Sequence, residues 1–314
     1  MKSPFWTNNV YGIGFWLKKY AYYPQWLPLC NYIEHGISLS DVIPKHEKET
    51  EATLIFRHSP IRTALDKKIS NKSIHCIISP YAFYRNIKKI KKKSTAKGTL
   101  YFPSHSTDQL DDLTNWDVFI DDLNKIPDSF KPIDICLHCT DVDKGLDKIF
   151  FSRGYKVYSA GSLTSDTFTE EFYDNLKNYK FTMSNIVGSY AFYSVEMGIP
   201  FSLYGEDPKF FNKGDENIEL GEYNSYKKHS RRIISQNLFE GFHSSINEEQ
   251  KEFVDFQLGK TETISRIKTS LLLYRALILY FFKHPKILKE IFMKQAEHFK
   301  DFIRNKKKQI GRLF

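Results

Sequence analysis

Between residues 98 and 206 the chain alternates short apolar runs with polar stretches of about ten residues, a rhythm few folds can accommodate. The runs are Thr99–Pro103 (TLYFP), Ile133–Cys139 (IDICLHC), Tyr155–Ser159 (YKVYS), Phe181–Ser184 (FTMS) and Pro200–Tyr204 (PFSLY). Between them, Trp116–Lys125, Asp143–Arg153, Asp166–Asn178 and Gly188–Met197 read as helices, with Gly154 placed to end the second. Strands separated by helices of this length pair in parallel. Their aromatic and β-branched content suits a sheet covered on both faces. The expected class is therefore α/β.

The preceding segment follows the same grammar less regularly. Ala52–Phe56 (ATLIF) and Ile74–Ser79 (IHCIIS) are strand candidates. Lys88–Lys97 holds six lysines in ten residues and reads as a solvated linker, with acidic-lipid contact as the minority reading. The organisation expected is a short α/β domain over 1–97, a nucleotide-fold-like domain over 98–245 and a basic tail over 246–314. With 41% apolar residues there is material for real cores, and four cysteines in 314 residues do not make a disulfide scaffold.

The net charge of +9 is localised. Residues 261–314 carry thirteen Lys/Arg and four Asp/Glu, which leaves 33 of each sign in the rest. A neutral body with a basic tail argues against nucleic acid and for an anionic surface the tail lies on. Thr261–Phe282 and Lys286–Arg304 read as two helices broken near Pro285. In the second, Leu288, Phe292, Phe299 and Ile303 share one face, with lysines mostly off it. That pattern fits packing on the domain or lying on an anionic membrane. The longest apolar run, Leu271–Phe282, contains Arg275 and is too short to span a bilayer. The amino-terminal region lacks the layout of a secretory signal, so the chain is expected in the cytoplasm, free or on the inner membrane face.

Neither a P-loop nor a complete dinucleotide fingerprint, nucleophile elbow or zinc-protease helix occurs. Cys136 and Cys139 lie three apart on a strand candidate and so point to opposite faces, which favours buried thiols. Asp141 and Asp143 form an Asp-x-Asp that suits either a cation–diphosphate or a helix cap. The expected metal is none. More informative is Ser184–Gly205, SNIVGSYAFYSVEMGIPFSLYG. A strand ends in a small polar loop with Ser184 and Asn185, and Gly188 and Ser189 open a helix whose first N–H groups suit a phosphate. Glu196 lies two turns further along the same face.

This block resembles the nucleotide-binding half of GT-B glycosyltransferases and their relatives, in which a Gly-Ser…Glu-x-Gly-x-Pro helix lies against the donor nucleotide. The resemblance covers about a third of the chain, over 98–206, and is shared with sugar-nucleotide epimerases. It implies two Rossmann-like domains of GT-B type. It also implies phosphate contacts by Gly188 and Ser189 and a ribose or sugar contact by Glu196. Ser104, His105 and Ser106 would sit where the first strand of that half meets its loop, and Gly161 and Ser162 where such enzymes read the base. For His105 an anion contact is favoured, since its serine neighbours can donate hydrogen bonds. In the amino-terminal half, Glu34-His35-Gly36 is the leading site, with His35 as general base in a loop that Gly36 lets turn sharply. His58, also after a strand, is its rival.

The function expected is transfer of a sugar from a CMP-, UDP- or GDP-linked donor, with no further cofactor. The acceptor would be a surface glycan or glycolipid at the cytoplasmic membrane face. A sugar-nucleotide epimerase or hydrolase, or a non-catalytic membrane- or glycan-binding partner, are the alternatives.

Overall fold

Two separate parallel sheets organise the chain. The computed structural model describes residues 4–40, 42–159, 161–216, 220–223 and 229–285. After two 3-10 turns kinked at Tyr11 within Trp6–Gly12, the first half supplies α1 (Ile13–Tyr20), β1 (Tyr32–Ile33), α2 (Lys45–Lys48), β2 (Leu54–Arg57), α3 (Pro60–Ile69), β3 (Ser73–Cys76) and α4 (Pro80–Lys88). β2 lies between β1 and β3, with Ile33 opposite Phe56 and Phe56 opposite His75. Both α3 and α4 begin at a proline, whose missing N–H costs nothing in the first turn.

The second half runs β4 (Thr99–Tyr101), β5 (Leu110–Asp112), α5 (Trp116–Asn124), β6 (Ile133–Leu137), α6 (Cys139–Asp143), α7 (Leu146–Ser152), β7 (Val157–Ser159), α8 (Phe168–Leu176), β8 (Phe181–Ser184), α9 (Ser189–Glu196), β9 (Phe201–Leu203), β10 (Phe210–Asn212) and β11 (Gly221–Tyr223). Three helices follow, α10 (Ser230–Phe239), α11 (Glu248–Gln257) and α12 (Arg266–Lys283). Five strands form one parallel sheet in the order β7-β6-β4-β8-β9. Counted along the chain that order is 3-2-1-4-5, so the winding reverses between β4 and β8. Ligands of open α/β sheets bind at such a reversal, outside the carboxyl ends of the strands.

Alternation along the strands explains why this sheet is covered twice. Leu100 and Cys136 enter a cluster with Tyr173, Phe192 and Phe201, while Tyr101, Ile135 and Leu137 enter another with Phe119 and Phe150. The first cluster also takes in Trp16 of α1 and Tyr81 and Tyr84 of α4, so a continuous core crosses the boundary expected at residue 98.

Three expectations change. The helix read from Asp143 starts at Leu146 as α7, because Gly145 takes a left-handed φ of 83° and parts it from the preceding short α6. A small antiparallel sheet, β11-β10-β5, went unanticipated: its strands are three residues long and give no periodicity to read. The region expected as a tail from 246 is, through Lys283, part of the packed body. α11 begins with a capping box on Asn247 and packs on α9, and α12 buries Leu273, Ala276 and Leu277 with Tyr32, Ile33 and Phe56. The second tail helix, Lys286–Arg304, lies outside the described residues. Among the described residues no helix is long and apolar enough to cross a membrane.

Candidate active site between two strand edges

Parallel strands deliver their following loops to one edge of a sheet, and here each sheet contributes a polar set. From the first come Glu34-His35-Gly36 after β1 and His58 after β2; from the second, Ser104–Ser106 after β4, His138 after β6 and Asn185–Ser189 after β8. Two of these loops touch across the chain. The Ile37 N–H donates to Ser189 Oγ at 2.9 Å, and a Cβ on Gly36 would stand 3.0 Å from that same oxygen. Gly36 is thus needed for close approach. Gly188 opens α9 with no side chain capping the helix, while the Tyr190 ring lies where a Cβ on Gly188 would go.

His35 sits beside this contact. Its ring packs at 5.7 Å from Trp6 and 6.5 Å from Tyr11, and its buried Nδ1 has no hydrogen-bond partner among the described residues. Burial pulls its pKa down to about 4, with His46, Arg57 and His58 acting the same way and Glu47 opposing. The ring is neutral with one unused nitrogen, and burial weakens it as a base in the resting site.

Tyr11 extends the cluster. It holds a left-handed φ of 55°, with its carbonyl accepting from Tyr81 Oη and Thr169 Oγ1. Its hydroxyl meets His138 Nε2 at 3.2 Å. His138 Nδ1 accepts from the Thr140 N–H, which leaves the proton of the neutral ring on Nε2. Burial, then His105, lower the His138 pKa to about 3. His105 stacks on His138 at 4.4 Å and points Nδ1 at the Ser106 carbonyl, 3.0 Å away. Four rings, His35, Tyr11, His138 and His105, therefore form one contiguous row joining the two sheet edges. Neither Tyr11 nor His138 carries a site motif in the sequence.

Several expected contacts take other tasks. Glu34 is buried and accepts from the Ser38 and His58 N–H groups at 3.2 Å each, so it shapes the loop that carries His35. His58 is fully buried with both ring nitrogens against carbonyls, Glu34 at 2.9 Å and Ile77 at 3.3 Å, and burial lowers its pKa. It has no nitrogen to offer a substrate and is not a rival base. Glu196, expected at a ribose, is a buried carboxylate paired with Arg85 of α4 and with Lys260 at 2.9 Å. Ser104 donates to Asp112 at 2.7 Å and receives Asn185, whose Oδ1 in turn accepts the Ser104 N–H. Ser106 donates to Asp141 at 2.6 Å, and Ser184 pairs with the Tyr190 hydroxyl at 2.7 Å. These four polar side chains are spent on hydrogen bonds that tie the loops together. Gly161 and exposed Ser162 begin the loop after edge strand β7, and that loop grips the amino-terminal arm: the Tyr11 N–H donates to the Leu163 carbonyl at 2.6 Å. Cys136 is a buried strand thiol, whereas Cys139 opens α6. Among the described residues no three His, Cys, Asp or Glu are arranged to hold a metal.

Behind the His35 loop lies a buried charge square, of which only the Arg62–Asp66 side has a helical spacing in the sequence. Arg57 pairs with Glu47 and Asp66 at 2.6 Å each, and Arg62 with the same two at 3.1 and 3.2 Å. Burial alone would raise the Glu47 carboxyl, but Arg57 and Arg62 more than offset it and hold it below its ordinary value. Arg62 also donates to the Ser40 and Val42 carbonyls, and Arg231 of α10 to those of Ser38 and Ser40. The loop that presents His35 is thus clamped from both halves of the chain. Set against known protein families, curated proteins and solved structures, the chain matches none of them.

Proposed function

We propose that this protein is a glycosyltransferase of GT-B architecture that moves a sugar from a nucleotide-linked donor to a surface glycan or glycolipid acceptor. The observation that carries the reading is the contact between the His35 loop and the uncapped start of α9, made next to the winding reversal of a 3-2-1-4-5 sheet. A base from one sheet edge and an anion-binding helix start from the other are the two parts an inverting transfer needs.

In this reading the acceptor displaces the packing over His35 Nδ1, which then takes the proton of its hydroxyl. The freed oxygen forms a bond to the anomeric carbon as the bond from that carbon to the donor phosphate breaks. The leaving phosphate keeps the electron pair, and its charge falls to the amides at the start of α9, the Ser189 hydroxyl and the His105 imidazole. Glu34 and the Arg57–Glu47 pair position His35 without touching substrate. The working place is the cytoplasmic face of a membrane, where a lipid-linked acceptor is presented. An epimerase or hydrolase on the same fold would turn over the donor with no acceptor present.

A thermal-shift series with CMP, CDP, UDP, GDP and TDP tests the donor half. One nucleotide class is expected to raise the melting temperature, and to go on raising it with the logarithm of its concentration. His35→Ala is expected to keep that shift and to lower transfer by about a hundredfold or more. No shift with any nucleotide, or unchanged transfer in His35→Ala, removes the reading.

A further inference from the structure

α12 is apolar on two opposite faces. One, with Leu273, Ala276 and Leu277, is buried against the three-stranded sheet. The other presents Ile267, Leu271, Tyr274, Ile278 and Phe282, spaced by three or four residues and therefore in one stripe. Ile267 is 69%, Leu271 65% and Phe282 82% exposed. A helix of this kind with one face bare needs a second apolar surface to lie against.

The segment after α1 joins the stripe. Arg266 donates to the Tyr20 and Lys19 carbonyls and lies over the Tyr22 ring at 3.7 Å, and Tyr23 packs at 4.9 Å on Tyr274. This puts exposed Tyr22 beside the head of α12; Trp26, also exposed, follows four residues later, and Phe15 is partly exposed on α1. The charges on these two segments have one sign. Residues 13–26 contain Lys18 and Lys19, and 266–283 contain Arg266, Lys268, Arg275 and Lys283, while neither stretch has an Asp or Glu. Tyr and Trp at the rim of an apolar stripe flanked by Lys and Arg match the chemistry of a bilayer interface with anionic headgroups.

We propose that the outer face of α12 and the Phe15–Trp26 segment form one docking surface for an anionic lipid bilayer. The sequence pointed to 261–314 alone; the surface argued here adds the aromatic segment and assigns contact to the first of the two helices. It deepens the membrane-side part of the proposed function and rests on that reading for its purpose.

The full-length protein is mixed with phosphatidylcholine vesicles, and with vesicles carrying about 30% phosphatidylglycerol, and the pelleted fraction is measured. Capture by the anionic vesicles alone, weakened by added salt, is expected. Leu271→Glu with Ile278→Glu should lower partition by about tenfold or more, and Tyr22→Ala with Trp26→Ala by about threefold. Circular dichroism and sedimentation velocity check each variant, and Leu271→Asn with Ile278→Asn takes over if the first double variant fails to fold. Equal capture by neutral vesicles, or undiminished capture of a folded charge variant, overturns the proposal. So does a dimer that Ile278→Glu dissolves in protein that no vesicle captures. No nucleotide enters this assay and no lipid enters the thermal-shift series, so either proposal can fail while the other stands.

Discussion

At His35 burial becomes a proton equilibrium. Its folded pKa of about 4 lies below the ordinary 6.5, and that of His138 lies at about 3. As pH falls through 6.5 the unfolded chain binds these protons first, so stability declines from there down to the folded values. Each group contributes a slope of about 1 kcal/mol per pH unit. Urea unfolding between about pH 7 and about pH 5 should show this decline, and His35→Gln should reduce the slope by about one proton's worth. An unchanged slope would mean that His35 is not held neutral by the fold. The loop was legible because Gly36 permits a sharp turn directly after His35. Its supports were not. Arg57, Arg62, Glu47 and Asp66 meet through folding alone, and only Arg62 and Asp66 have a helical spacing. Nor does anything near His58 in sequence announce the Glu34 and Ile77 carbonyls that occupy its ring.

Among the elements, α9 is closely built at its first turn. A Cβ on Gly188 would stand 2.6 Å from the Tyr190 ring. That ring cannot retreat easily: it stacks on Phe102 at 4.5 Å, and its hydroxyl is held by Ser184. Gly188→Ala should therefore cost about 1–3 kcal/mol of stability and abolish the nucleotide-dependent thermal shift. Gly214→Ala, with open space around it and no left-handed φ, should do neither. Equal behaviour of the two variants in denaturation and thermal-shift experiments would remove the argument for a built helix start. The β8–α9–β9 unit was readable from FTMS, the Gly-Ser start and the Gly-Ile-Pro exit, since each carries its own local signal. The break at Gly145 was harder to see, because a lone glycine in a helical pattern is compatible with continuation.

On the scale of the whole molecule, the two parallel sheets were foreseeable and their fusion was not. Strand and helix signals are local, whereas Tyr81 stacking on Tyr193 at 4.9 Å, Ser79 bonding to the same tyrosine and Glu196 taking charges from Arg85 and Lys260 join distant parts of the chain. The continuous core through Trp16, Tyr84, Tyr173 and Phe192 has a calorimetric consequence. The core of the five-stranded sheet draws on α1 and α4 of the first half, so heating should give one transition with equal calorimetric and van't Hoff enthalpies. Two resolved transitions would contradict it. Cooperativity of this kind makes stabilisation a shared property: a nucleotide held at the five-stranded sheet would also delay melting around Trp16, whose fluorescence reports it from α1.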